Sequence, residues 1–463
     1  MVSLTMNSEQ YEIMAPVGSR ESLAAALNAG ADSIYFGIEK LNMRAHSAST
    51  FTIDDLREIT ATCNDRGVKT YLTVNTIIYG EDIPTMHEII DAAKEAGISA
   101  VIASDVAVMM YCRQVGQEVH LSTQLNISNI EALRFYAQFA DVVVLARELR
   151  MDQVKTIHEQ AVKEGICGPS GNPIRIEMFC HGALCMAISG KCYLSLHNAN
   201  RSANRGECVQ ICRRGYKVDA YESSAVYNAT DVETGNELLI DNKYIMSPKD
   251  LKTIRFIDKM MDAGVRVFKI EGRARGPEYV DTVVRCYKEA INAVLHDLQL
   301  EKTDIPENPE TPENPETPDN PETPDNPASP KKAFTEEAKD AWDERLSRVF
   351  NRGFWDGYYQ GQKIGEWNDS YGSKATEKKV YCAKTIKYFS KIGVAEFQVE
   401  AHELKVGDKL LITGPTTGAM YLDCTEIRYD LKPVEVAKKG WRISIAVPDK
   451  VRPSDKLFIV HSS

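Results

Sequence analysis

From Tyr11 to His296 the chain alternates short β-branched runs with amphipathic stretches, and this rhythm narrows the fold more than any composition figure does. The spacing predicts strands at Tyr11 to Ala15, Ser33 to Ile38, Lys69 to Asn75, Ala100 to Ser104, Val119 to Gln124, Asp141 to Arg147, Ile174 to Phe179 and Val265 to Glu271. Between them apolar residues recur at helical spacing, as at Leu23, Ala26 and Leu27. Glycines at 30, 67, 97 and 264 stand where left-handed helix ends are expected. Eight strand–helix units over about 290 residues predict an α/β fold, a TIM-type (β/α)8 barrel. A doubly wound open sheet is the alternative, but no GxGxxG follows the first strand to mark a dinucleotide site.

In such a barrel the residues just past each strand share one mouth. Asn75, Gln124 and Arg147 end three strands, Glu177 leads towards His181, and Lys269, Glu271 and Arg273 end the eighth. Glu177, His181, Arg147, Lys269, Glu271 and Arg273 are therefore the catalytic and substrate-binding candidates. Guanidinium forks of this kind suit a small dianionic acid. Simpler roles compete: Asn75 and Gln124 as caps, His181 as a loop histidine, and Lys269 with Glu271 as an internal ion pair.

The stretch from Glu177 to Arg213 holds five of the eleven cysteines. Cys185, Cys192, Cys208 and Cys212 lie among glycines, serines and arginines rather than in apolar runs, unlike core thiols. Four thiolates together repel unless disulfides or a cation neutralise them. No basic, apolar leader precedes residue 11, so a cytoplasmic, reduced setting is expected, in which clustered cysteines favour metal or catalysis. Their spacing matches neither paired CxxC ribbons nor ferredoxin runs, and leaves zinc, an iron–sulfur cluster and unligated thiols all open. Cys180, Cys63, Cys112, Cys167 and Cys286 read as buried thiols.

The run Glu177-Met-Phe-Cys-His181-Gly182-Ala-Leu-Cys185, then Gly190-Lys-Cys192, Asn204-Arg205-Gly206-Glu-Cys208 and Cys212-Arg213, resembles the signature region of peptidase family U32, the collagenase-like proteins. The likeness continues through Met246-Ser-Pro-Lys249-Asp250-Leu251, Lys269-Ile-Glu271-Gly272-Arg273 and Asn351-Arg352-Gly353-Phe354. Within the family it is similar to the branch that makes 5-hydroxyuridine at the wobble position of tRNA, using prephenate. That resemblance implies a 4Fe-4S cluster on Cys185, Cys192, Cys208 and Cys212, prephenate as co-substrate and tRNA as partner. Arg201, Arg205, Arg213 and Arg214 then become the RNA-binding candidates. Peptidase activity is the alternative, although HExx at His87, His158 and His402 never reaches a second histidine and no GxSxG occurs. A cysteine nucleophile paired with His181 stays open, as does a non-catalytic, zinc-stabilised RNA-binding protein.

The 463 residues exceed one ordinary domain. Residues 1–300 read as the barrel, with the cysteine segment at 177–213. Residues 301–333 read as an acidic linker, 334–372 as a helix with a connecting segment, and 373–463 as a small all-β barrel. The polar stretch from Tyr216 to Lys243 reads as an inserted hairpin, and Lys249-Asp250-Leu251 as the start of the helix before strand eight. Proline at every third position from Pro306 to Pro330 predicts a polyproline II spacer. Its seven carboxylates account for seven of the eleven net negative charges, so the folded parts are closer to neutral. From Lys374 to Lys456, 16 basic residues oppose 11 acidic ones, which suits RNA docking as well as it suits an ordinary soluble barrel. No run approaches 18 apolar residues, so no membrane partner is expected.

Overall fold

A computed structural model describes residues 11–45, 51–216, 244–303, 331–362, 365–370 and 372–463, with the backbone of strands Tyr227–Thr230 and Glu237–Ile240. Eight strands run parallel: β1 (Glu12–Pro16), β2 (Ser33–Phe36), β3 (Lys69–Val74), β4 (Ala100–Ala103), β5 (Val119–Leu121), β6 (Val142–Val144), β7 (Arg175–Gly182) and β8 (Val265–Ile270). Each pairs with its successor up to β7, β8 pairs with β1, and β7 pairs with β8, which closes the TIM-type barrel. The first helix, α1 (Arg20–Asn28), starts where the Ser19 hydroxyl accepts from the Ser22 amide. Gly30, Gly67, Gly97 and Gly264 all take the left-handed backbone expected where a helix must turn into the next strand.

The barrel is filled rather than hollow. Met14, Tyr35, Tyr71, Ile102, Val142 and Val267 share an apolar interior layer. At the N-terminal end, buried Glu12 accepts from Tyr71 Oη at 2.7 Å and pairs with Arg175 at 3.0 Å and Lys69 at 3.3 Å. Burial pushes the Glu12 carboxyl up, but the two cations and the tyrosine outweigh it and hold its pKa down at about 2. The bottom of the barrel is thus closed by a paired charge.

Two short strands extend the sheet beyond β7. Asp250–Lys252 pairs antiparallel with Gly182 and His181, and Phe354–Trp355 pairs parallel with it in turn. This corrects the helix expected to open at Lys249: Asp250 and Leu251 are buried against β7, and the helix starts later, at Ile257. The helix expected from Thr335 runs over Glu336–Arg348, capped by the Thr335 hydroxyl. Its Trp342 and Leu346 belong to the barrel's outer core. In the following segment Trp355 and Tyr359 are buried, and Tyr359 Oη donates to Phe179 O at 2.9 Å, so these rings pack and are not free to stack bases.

Residues 377–462 form an eight-stranded antiparallel sheet, with Gly418–Asp423 at one end and Lys432–Val434 at the other. Side chains from both ends reach one apolar core with Phe397, Leu410, Ile443 and Ile459, so the sheet curls around it. This unit docks on α1: Asn28 Nδ2 donates to Thr417 O at 3.2 Å, and a Cβ on Gly418 would stand 2.7 Å from the Ala25 amide nitrogen. Tyr227–Thr230 and Glu237–Ile240 pair as the expected hairpin. The rest of that stretch and the proline-rich tract from Pro306 to Pro330 lie outside the described residues.

Candidate active site in the barrel mouth

A cavity of about 260 Å3 opens at the C-terminal end of the strands, where the barrel interior meets the cysteine segment. Its lining draws on nearly every turn of the barrel: Tyr35, Thr73, Asn75, Ile102, Ser122, Gln124, Arg147, Phe179 and Lys269 among them. The segment after β7 folds over this mouth as a cap. It places Cys185, Cys192, Cys208 and Cys212 in the same lining.

The cap is held by arginines used internally. Arg205 pairs with Asp82 and donates to Ile77 O at 2.7 Å, and Ile77 N donates to Asn204 O at 3.1 Å. Arg213 donates to Ser247 Oγ at 3.1 Å and to the carbonyls of Leu184 and Pro248. Gly206 has φ +85°, and a Cβ there would overlap the Asn42 carbonyl oxygen, so only glycine lets the cap approach the loop after β2. Two of the four proposed RNA-binding arginines, Arg205 and Arg213, therefore fasten the cap, while Arg201 and Arg214 are exposed.

The four thiols sense one another. Burial raises the Cys192 and Cys212 pKa values, and neighbouring Cys185 and Cys208 raise them further. Ser195 Oγ stands 4.0 Å from Cys208 Sγ as a donor. Among the described residues no three His, Cys, Asp or Glu side chains are arranged to hold a metal ion. An all-cysteine donor set sharing one cavity fits a cluster in which each iron takes one thiolate. The remaining cysteines sort differently: Cys63, Cys112, Cys180 and Cys286 are buried as expected, but Cys167 is exposed, because its turn at 165–173 lies outside the helix–strand core.

Charge in the cavity is lopsided. Seven cations line it, Arg44, Arg147, Arg213, Lys269, Arg273, Arg275 and Arg352, against a single lining carboxylate, Glu271. Glu271 pairs with Arg44 at 2.9 Å, and Lys269 pairs with Glu177 at 2.7 Å. The internal Lys269–Glu271 pair weighed as the simpler alternative does not form; two cross-barrel pairs stand instead, and Glu271 lies beyond the end of β8. Arg352 leans on buried Asp250 at 3.1 Å. Arg273, 5% exposed, has only neutral oxygens, Thr73 Oγ1 at 2.9 Å and Asn42 Oδ1 at 3.2 Å. Burial drags its pKa down to about 10. Arg147 reaches Ser189 Oγ at 3.0 Å and lies over Phe179. Two guanidiniums without a carboxylate partner, in a positive cavity, can take an anion.

Glu177 is wholly buried behind Lys269, and its Oε2 has no hydrogen-bond partner. His181 is not part of the cavity lining. It is sealed among Tyr279, Tyr287 and Phe354, its Nδ1 3.3 Å from Tyr287 Oη. Burial, helped by the Lys252 charge, lowers its pKa to about 3, so it stays neutral. Sequence reasoning missed Arg44, Arg275 and Arg352. Arg275 had a signal, two residues past Arg273, and Arg352 sat within a recognised run; Arg44 had none.

The fold and site define a TIM-type barrel whose cationic mouth is capped by a four-cysteine segment. The model of peptidase family U32 matches residues 18–317, and the chain belongs to that family. It is 62% identical over 98% of both chains to a protein named collagenase from Porphyromonas gingivalis. It is 37% identical to tRNA hydroxylation protein P1 of Bacillus subtilis, over 63% of this chain and 65% of that one. A 23S rRNA 5-hydroxycytidine synthase of Escherichia coli is 30% identical, over 64% of this chain and 41% of its own length. Among the described residues no helix is long and apolar enough to cross a membrane.

Proposed function

We propose that this chain is an RNA-hydroxylating enzyme that converts the wobble uridine of tRNA to 5-hydroxyuridine, with a prephenate-like diacid as co-substrate. The observation that carries this reading is the convergence of four thiols and seven cations on one cavity at the barrel mouth. Cys185, Cys192, Cys208 and Cys212 would hold a 4Fe-4S cluster, which supplies redox chemistry when bound. Arg273 and Arg147 bind the carboxylates of the diacid, and Phe179 and Tyr35 supply apolar faces for its ring. Lys269 Nζ donates to Glu177 Oε1 at 2.7 Å at the side of the site. A uridine reaches this depth only if it is swung out of its stack, as unpaired loop bases can be. Relatives named for tRNA and rRNA hydroxylation support the substrate class. A reduced, cytoplasmic setting follows from the need for free thiolates.

The test is iron and sulfide analysis of protein purified without oxygen, beside Cys208→Ala, together with nucleoside analysis of tRNA from cells carrying either form. Iron and sulfide near four each, and 5-hydroxyuridine, both lost in the variant, are expected. Zinc in place of iron, or unchanged nucleosides in a deletion strain, overturns the reading. The 62% identical relative named collagenase favours a second reading, peptidase activity. Against it, no histidine of the described residues lines the cavity to act as base for a cysteine. Gelatin cleavage by metal-free protein, abolished by Cys208→Ala, would establish it.

A further inference from the structure

Of the twelve large apolar side chains exposed among the described residues, six come from two segments at the mouth: Ile77 and Tyr79, and Met186, Ile188, Tyr193 and Leu196. Single exposed apolar residues need no explanation, but such a concentration marks a surface that meets a partner. The loop carrying Ile77 and Tyr79 is tied to the cap further along, by the Ile77–Asn204 and Arg205–Ile77 hydrogen bonds, and Arg205 lies 4.1 Å over the Tyr79 ring. A diacid held inside the cavity has no use for this crown.

The charge of the same segment selects the partner. Residues 182–216 carry Lys191, Arg201, Arg205, Arg213 and Arg214 against Glu207 alone. With Arg205 and Arg213 engaged internally, Lys191, Arg201 and Arg214 remain exposed, without an ion pair among the described residues. Rings and apolar edges interleaved with uncommitted cations complement a polyanion with unpaired bases. Tyr193, 65% exposed, adjoins Cys192, and Ile188, 53% exposed, opens the turn closed by Lys191 N to Ile188 O just before it in the chain.

We infer that the cap is itself the RNA-reading surface: Tyr193 and Ile188 form the platform on which the unpaired nucleotide next to the target base stacks, while Lys191, Arg201 and Arg214 hold its backbone. This rests on the RNA reading above, and the experiment separates the two. Binding of a labelled RNA stem-loop and of a fully paired duplex is measured by fluorescence anisotropy for the parent, Tyr193→Ala, Tyr193→Phe, Ile188→Ser and Arg201→Gln. Iron content and visible absorption of each variant check that the cap is intact.

The stem-loop is expected to bind in preference to the duplex. Tyr193→Ala weakens it about tenfold with an unchanged salt slope, and Tyr193→Phe restores it. Arg201→Gln lowers the salt slope by about one. Parent-like binding by both Tyr193→Ala and Ile188→Ser overturns the platform and leaves the RNA reading standing. Equal binding of stem-loop and duplex also overturns it. A parent that binds no RNA removes both, and a parent that instead binds gelatin peptides through Tyr193 assigns the crown to a protein substrate.

Discussion

Arg273 is a charge the fold keeps at a cost, since burial and the neighbouring Arg44 charge disfavour it, Tyr35 and Glu271 offset only part of this, and no carboxylate pairs with it directly. Replacing a buried ion by an apolar side chain of similar length is often neutral or stabilising. Arg273→Met is therefore expected to melt at or above the parent temperature, while the thermal shift given by an added dicarboxylate disappears. A fall in melting temperature with the ligand shift retained would make the residue structural. Glu12 behaves oppositely. Its pKa is lowered from 4.5 to about 2, so its contribution is full above the unfolded value and is lost as pH falls from about 4.5 to 2. Glu12→Gln is expected to cost about 3 kcal/mol at neutral pH, and the gap should close in urea melts near pH 2. A gap that stays constant with pH would mean the loss is packing, not charge.

Among elements, the cap depends on one close approach. Gly206→Ala drives a Cβ into the Asn42 carbonyl with an unfavourable positive φ, so the cap should lift while the barrel stays folded. On the cluster proposed above, iron content is expected to fall severalfold with far-ultraviolet dichroism unchanged; full iron loading would show that the cap tolerates the shift. The eight barrel strands were legible in the sequence because each is a local β-branched run ended by a turn signal. The three-residue strand at Asp250 was not, because so short a run has no period and its partner, β7, lies about seventy residues earlier. The four cysteines stood out by their setting, and Arg147, Lys269 and Arg273 by their place at strand ends. Which cation meets which carboxylate was not readable: Arg44 meets Glu271 and Lys269 meets Glu177 only after the barrel has closed.

For the whole molecule, the C-terminal unit and the barrel meet through a close backbone approach and a few side-chain contacts. Gly418 lies against the start of the Ala25 peptide, and Lys379 pairs with Glu278 at 2.7 Å on the barrel's last helix, Pro277–Thr303. Gly418→Leu is expected to split a single calorimetric transition into two, whereas Lys379→Ala, which removes one surface pair, should shift it by no more than about 1 kcal/mol. A single transition in Gly418→Leu would show that the docking adapts.

The barrel's seam carries a kinetic meaning. β7 and β8 are neighbours in space, yet residues 183–264 lie between them, several times the length of the crossover from β1 to β2. Joining ends across a loop longer by about two doublings costs about 1.2 kcal/mol more in chain entropy. The seam therefore forms late, and the four thiols ride on the very loop that must be drawn in. Sealing the barrel and gathering the four thiols are then one event, so whatever loosens the cap also unzips the barrel at one edge.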